Sequence, residues 1–299
     1  MSVSECCLTV NLKGEETDMH GTVQFPISFY EENISAVPVP LHWHEDFEIL
    51  WVTSGSVNVF INTSRHTLKK GSGIFVNAGV LHSVSAGRAG SCMIRSFVFH
   101  PRLIGSIDSI YRQKYLEPLI QNKKLPFVFL RPASVWQNRV LTLSASVWDR
   151  LYVEQRGYEI YVRNELSEII LHLLQNQARC ETRTNPGNIR NADRIKDMLQ
   201  YIHTHYSEEI SITDLAGTSI ISASEVLRCF HSTIHVTPVR YIRQFRIERA
   251  AVLLTDTDLS SAEIAFQCGF QSSSYFTKTF REIKGCTPLD YRRINVASS

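Results

Sequence analysis

Nothing in this 299-residue chain approaches the run of about 18 apolar residues that a membrane-crossing helix requires. That argues against a membrane partner. The opening stretch, MSVSECCLTVNLKGEE, lacks the basic segment and apolar core of an export signal. No CxxC pair occurs among the cysteines at 6, 7, 92, 180, 229, 268 and 286, which removes the usual zinc-finger spacings. Their scattered placement, with Cys229 and Cys268 on helical core positions, suits a reduced chain, and a cytoplasmic location is expected. Charge of one sign is scarce too. The net charge is +2, and over residues 190–299 thirteen Lys and Arg face twelve Asp and Glu, a net of +1. A chain this neutral does not hold nucleic acid by bulk attraction, so any affinity for it depends on where the cations sit. The same neutrality disfavours a structural DNA-organising protein.

What is present fits two domains with separate cores, at 43% hydrophobic and 20% charged residues. Residues 1–20 are polar and unpatterned. From Thr22 to Phe99, short apolar runs alternate with turn clusters such as Thr53-Ser54-Gly55-Ser56 and Lys70-Gly71-Ser72-Gly73. Many short strands at that spacing predict a sandwich or barrel. A helix is expected around 107–120. Over 134–179 the pattern turns helical, with Leu166, Ile169, Ile170 and Leu173 forming an amphipathic stripe. Two such helices need cover for their apolar faces: the barrel, a second subunit, or both. ETRTNPGNIRN, residues 181–191, is polar and carries Pro186-Gly187, and reads as a linker.

Beyond the linker every segment reads as helix. Ser260–Tyr291 has a short helix, a tight turn at Gly269, a second helix and a stop at Gly285. Phe276 and Phe280, four apart, share one face, while Ser273, Ser274, Tyr275 and Lys278 lie on the other. This is a helix-turn-helix. It has an echo fifty residues upstream: Phe230 stands for Phe280, Arg228 for Lys278, and Thr237-Pro238 for Thr287-Pro288. A helix over 238–255 joins the two, with Thr237 as N-cap and Ile247, Ala250, Ala251 and Leu254 as its buried stripe. The echo is imperfect. Ile220 matches Gly269 and His235 matches Gly285, positions where a positive φ is expected and costs a β-branched residue most. His203 and His205, two apart on a helix, do not share a face and read as surface.

Residues 193–294 closely resemble the AraC/XylS family of bacterial transcription regulators, through DLAGTS, VLRCF, TPVRYIRQFRIERAAVLL and EIAFQCGFQSSSYFTKTFREIKGCTPLDYRR. The resemblance implies two helix-turn-helix units, here about 212–233 and 261–284, inside a DNA-binding domain spanning 192–299. Each would set a recognition helix in the major groove. Candidate base contacts are Ser224, Leu227 and Arg228 in the first unit and Ser273, Ser274, Tyr275 and Lys278 in the second. Arg228 is the strongest, since a guanidinium matches the O6/N7 edge of guanine. Arg240, Arg243 and Arg246 on the connecting helix are candidate phosphate contacts, with a solvated face as the alternative. Double-stranded DNA, a small-molecule effector, RNA polymerase and a second copy of the chain are the implied partners.

His42-Trp43-His44-Glu45-Asp46-Phe47-Glu48 and Gly55, followed by Gly71, Gly79 and His82, resemble the two motifs of the cupin barrel, with Asn77 where Pro is usual. The whole chain is therefore expected to be a two-domain α+β protein. A cupin-like β-barrel with appended helices (domain 1–180, barrel about 22–99) precedes an all-α double helix-turn-helix. His42 and His44 share a strand face, but Glu48 lies about 13 Å further along a straight strand and joins them only if the chain bends. His42, His44, Glu48 and His82 are the candidate effector-binding residues. Three readings stay open for them: bonding a small polar effector such as a sugar, holding a divalent metal such as Zn, Mn or Fe, or a structural network. The leading expectation is an effector-responsive DNA-binding regulator that is not an enzyme and carries no cofactor. The alternative is a metal-dependent cupin enzyme, of dioxygenase or isomerase type, fused to a DNA-binding module.

Overall fold

A computed structural model describes residues 20–87, 91–180 and 186–296, and the chain divides into two compact units at the Arg190–Asn191 bond. The polar arm expected over 1–20 lies outside the described residues except for His20.

The first unit is built on nine strands: β1 (Ile27–Asn33), β2 (Val39–His42), β3 (Phe47–Ser54), β4 (Ser56–Ile61), β5 (Ser64–Lys69), β6 (Gly73–Val76), β7 (His82–Ala86), β8 (Met93–Phe99) and β9 (Phe127–Leu130). They form two antiparallel sheets, ordered β1-β8-β3-β6-β9 and β2-β7-β4-β5. Period-two alternation sets both faces. On β4, Val57, Val59 and Ile61 point between the sheets. On β3, Leu50 and Val52 join them, while Phe47, Ile49 and Trp51 face the other way. That second face is covered by two helices, α2 (Val135–Val153) and α3 (Tyr158–Cys180). Their stripes, including Val140, Leu143, Val147 and Leu151 on α2 and Leu166, Ile169 and Leu173 on α3, share one core with the five-stranded sheet. Of the two covers weighed for these helices, the barrel takes the apolar faces.

Three expectations need correction. The barrel does not end at Phe99: β9 pairs with β6 through Gly73↔Leu130 to Val76↔Phe127. The helix expected around 107–120 is present over 110–120, irregular through a π-helical turn at Arg112–Leu116 that runs into α1 (Glu117–Ile120), and Ile107, 75% exposed, lies before it. The linker is not all coil, because helix α4 runs from Pro186 to His205. Proline fits a first helical turn, where its missing N–H is no loss, so Pro186 marks a start where it had suggested a break.

The second unit holds the remaining helices: α5 (Ile212–Thr218), α6 (Ala223–Thr233), α7 (Pro238–Asp256), α8 (Ser261–Gln267), α9 (Ser273–Lys284) and α10 (Pro288–Val296). Ser211 and Ser260 open α5 and α8 with capping boxes to Asp214 and Glu263. Thr237 caps α7 as expected. Ile247, Ala250, Ala251 and Leu254 of α7 form one core with Ile264, Ala265, Phe276 and Phe280. Cys229 and Cys268 are fully buried thiols.

The glycine asymmetry between the two units has a structural cost. The turn of the second unit has Gly269 at φ +77 and its stop has Gly285 at φ +80. In the first unit Ile220 sits at φ 52 and His235 at φ 60. Left-handed backbone costs a side chain roughly 1–2 kcal/mol, and a branched Cβ makes it worse. Ile220 regains nothing through packing, being 94% exposed. Ile220→Gly is therefore expected to stabilise the protein by about 1 kcal/mol after glycine's own entropy cost. Gly269→Ala is expected to destabilise it, because a Cβ there would lie 2.5 Å from the Tyr206 carbonyl oxygen. Urea-unfolding midpoints of the two variants should move in opposite directions.

Candidate functional site

Two sites stand out, one in each unit. The first is the solvent face of α6 and α9. Ser222 caps α6 by accepting from the Glu225 N–H, and Ser272 caps α9 by accepting from that of Tyr275. Val226, Cys229 and Phe230 turn inward on α6, as do Phe276, Thr279 and Phe280 on α9. The same periodicity leaves Ser224, Leu227 and Arg228 exposed on α6, and Ser273, Ser274, Tyr275 and Lys278 exposed on α9. All seven candidate base contacts are thus available to a ligand, with Leu227 48% and Tyr275 51% exposed.

The arginines of α7 divide. Arg240 is exposed. Arg243 is half-buried and approaches Glu282 at 3.8 Å. Arg246 is committed to the protein's own backbone: Nε donates to the Tyr206 carbonyl at 2.7 Å and a terminal nitrogen to that of Glu208 at 2.6 Å. Its guanidinium also lies where a Cβ on Gly269 would meet it at 2.9 Å. Arg246 therefore closes the carbonyl end of α4 onto the turn of the second unit, and the reading of it as a phosphate contact is corrected. A spacing of three on a helix does not distinguish an outward arginine from one turned toward a neighbouring helix end. On the same helix Glu248 accepts from the Gln244 side chain at 3.2 Å.

Glu225 escaped the sequence reading. Its Oε1 lies 2.9 Å from the Arg228 guanidinium and 3.6 Å from that of Arg194 on α4. The signal was present, since an acid three residues before an arginine on a helix is in reach of it.

The second site lies inside the barrel. His42 ends β2 and is the direct partner of His82 on β7, so His82 comes from the neighbouring strand of the same sheet. His44 follows β2, and the chain then turns through Glu45 and Asp46 into β3. That turn is the bend Glu48 needs. Alternation along β3 places Glu48 on the inner face with Leu50 and Val52. One ligand atom from each of His42, His44, Glu48 and His82 lies within 4.8 Å of the others, and all four residues are buried.

The imidazole orientations are fixed from behind. Nδ1 of His42 lies 2.9 Å from the Pro40 carbonyl, that of His44 3.0 Å from the Asp46 carbonyl, and that of His82 2.7 Å from the Val80 carbonyl. A carbonyl only accepts, so each Nδ1 carries the hydrogen and Nε2 is the atom left to face inward. Burial, helped by the charges of His82 and His44, lowers the His42 pKa and keeps that ring neutral. The Nε2 of His82 is 2.8 Å from Glu48 Oε2, and that of His44 is 3.7 Å away. Burial works against the Glu48 charge, but the two imidazoles outweigh it and hold the carboxyl well below the usual carboxylate range. Further out, His20 bonds the Asp46 carboxylate at 2.6 Å and packs edge to face with His44, the ring centroids 5.4 Å apart. Asn77, in the place where proline is usual, donates to the Leu119 and Leu125 carbonyls.

With both sites described, comparison with known proteins is informative. The model of the AraC-like ligand binding domain matches residues 26–175, and that of a helix-turn-helix domain matches residues 215–294. The chain is 29% identical over 289 residues to the HTH-type transcriptional regulator YdeC of Bacillus subtilis, covering 95% of this chain and 97% of that one. It is 24% identical over 255 residues to the HTH-type transcriptional activator RhaR of Mannheimia succiniciproducens, covering 85% and 87%. With the melibiose operon regulatory protein of Escherichia coli the figure is 25% over 260 residues, covering 85% and 83%.

His203 corrects the surface reading of its pair: it is 2% exposed, stacked 4.0 Å from the Phe245 ring, with Nε2 at 2.8 Å from the Tyr241 hydroxyl. The i, i+2 argument concerned the two histidines together and left each one's own face undecided. Burial, with the nearby Arg249 charge, lowers its pKa to about 3. Between the ordinary value of about 6.5 and 3, the unfolded chain takes up a proton that the folded chain refuses. His203 therefore adds stability above pH 6.5 that is lost as the pH falls toward 3, at roughly 1.4 kcal/mol per pH unit. Urea unfolding at stepped pH should show this slope in the second unit, and His203→Gln should flatten it.

Proposed function

Since this chain belongs to the AraC family of helix-turn-helix transcriptional regulators, we propose that α6 and α9 read a specific DNA sequence under the control of an effector bound in the barrel. The observation that carries this reading is the division of the two helices, with Val226, Cys229, Phe230, Phe276 and Phe280 inward and Arg228, Lys278 and their polar neighbours outward. Arg228 pairs with guanine, Lys278 takes a guanine or a phosphate, and Arg240 takes a phosphate. The exposed serines add hydrogen bonds beyond the capping that Ser222 and Ser272 supply. With a net charge of only +1 over residues 190–299, specific contacts outweigh bulk attraction, and the number of phosphates neutralised is small.

The barrel senses a small polar molecule, and the relative named as the melibiose operon regulatory protein favours a sugar or a related metabolite. Control requires that the effector bind two states of the protein with different affinity. The protein acts in the cytoplasm as a homodimer and answers to RNA polymerase. It is a regulator and not an enzyme, because a catalytic barrel has no use for two DNA-reading units.

A second reading of the barrel rests on its own observation. Three imidazoles, each with Nδ1 tied to a backbone carbonyl, gather around one carboxylate. That is the arrangement of outer hydrogen bonds that orients histidines toward a cation. His42, His44, Glu48 and His82 would hold a divalent ion such as Zn, Mn or Fe, which would supply a Lewis-acid anchor for an effector hydroxyl or carboxylate. His42, His44, Glu48 and His82 position the effector in either reading, directly or through the ion.

A selection from randomised duplex DNA by the full chain tests the main reading. A shared sequence should emerge, and Arg228→Ala should cost about 1–3 kcal/mol on it while relaxing one position. Equal loss on every sequence would mark Arg228 as a phosphate contact, and no preference over random duplex would remove the reading. For the barrel, the purified protein should shift its melting temperature with sugars. Metal analysis before and after chelation decides the second reading: a stoichiometric ion, lost in His82→Ala, supports it, and effector binding indifferent to both treatments excludes it.

A further inference from the structure

We infer that Glu225 is a positioning and specificity-determining residue of the first unit, holding Arg228 in the pose that reads a G·C pair and itself reading the adjacent pair. This rests on the DNA-reading function proposed above.

The geometry is one carboxylate between two guanidiniums. Arg194, on α4 behind the recognition helix, lies 3.6 Å from Glu225 Oε1, and Arg228, on the outer face of α6, lies 2.9 Å from the same oxygen. The three side chains grade outward: those of Arg194 and Glu225 are 24% and 33% exposed, and that of Arg228 is 67% exposed. Arg194 thus anchors the acid from the protein side, and the acid holds the arginine on the solvent side. Glu225 is also fixed by its backbone, since its N–H is the one Ser222 caps.

An exposed arginine has many rotamers, and most of its contact energy with a base is spent on selecting one. A partner at i, i+3 restricts that choice before DNA arrives. The bond to Glu225 uses one N–H of the guanidinium and leaves the others for the O6/N7 edge of guanine. Glu225 has a second oxygen, Oε2, outside both contacts. A carboxylate at the major-groove floor accepts from the N4 amino group of cytosine and is repelled by the acceptor edges of guanine and thymine. The first unit is therefore expected to read a guanine with a cytosine beside it. The second unit has no such device, because Tyr275 and Lys278 occupy the corresponding positions. The two units accordingly read by different means, one through a preset ion pair and the other through a phenol and a mobile ammonium.

The test uses the full chain and the duplex it selects from a random pool. Every base pair of that site is then varied in competition binding with wild type, Glu225→Gln and Glu225→Asp. Glu225→Gln should still bind, and its affinity for random duplex should be unchanged or higher, because a negative charge facing phosphates is gone. Its preference at two neighbouring base pairs should fall about tenfold, the loss of one good base contact. Glu225→Asp keeps the charge, withdraws it from Arg228, and should lose the same preference. A surface charge without a positioning role would give a different result: affinity raised equally on all sequences, with the selected site and every base preference unchanged. That result overturns the inference while leaving the regulator reading intact. A wild type that selects no sequence removes both.

Discussion

The second unit depends on how α7 is held. Its stripe of Ile247, Ala250, Ala251 and Leu254 forms the core of the second helix-turn-helix, and its Arg246 closes the carbonyl end of α4 against the turn at Gly269. Hydrogen bonds from a charged donor to backbone carbonyls are among the stronger ones available to a protein. They satisfy helix-end acceptors that would otherwise face partly buried surroundings. Arg292 of α10 repeats the device at the carbonyl end of α7, donating to the carbonyls of Leu254, Thr257 and Leu259. The carbonyl ends of α4 and α7 are thus each tied by an arginine, and the outward cations of α6 and α9 are displayed from a scaffold in which these two charges are spent internally. This is how a nearly neutral domain keeps a few cations for recognition.

The barrel cluster rests on the same kind of economy. Its three imidazoles are aimed by backbone carbonyls two residues before or after each ring. The local chain direction at Pro40, Asp46 and Val80 decides where each Nε2 points, and Glu48 receives them because β3 enters the sheet immediately after the turn at Glu45-Asp46.

Much of this was legible in the residues. Gly269, Gly285, Pro238, Pro288 and the Phe276–Phe280 spacing specify turns, helix starts and one inward face, and each does so locally. The positive φ at Ile220 and His235 was foreseeable by comparing two halves of one chain, because a shared fold imposes the same backbone on unlike residues. What escaped was tertiary. The β9 segment FVFL gains its identity only by pairing with β6, more than fifty residues away in sequence. Arg246 looked like its neighbours Arg240 and Arg243 until the end of α4 was placed beside it. His203 is buried because Phe245 and Tyr241, on another helix, cover it. Asp46 and His20 join the barrel site through a contact that no spacing announces.

The strand order has one further consequence. Two open sheets have four outer strands, and an outer strand offers unpaired backbone groups to any other chain. Here each is blunted in its own way. β2 carries Pro40 inside it and Pro38 just before it, and proline has no N–H to offer. The Trp148 indole of α2 donates to the Tyr30 carbonyl of β1. Gln137 of α2 accepts from the Arg131 N–H at the end of β9. β5 alternates Arg65 and Lys69 with its inward residues, followed by Lys70. Extension of either sheet by a strand from another molecule is thereby discouraged. Subunits that come together through this unit must meet side chain to side chain, and the folded barrel is protected against the edge-to-edge stacking by which β proteins aggregate.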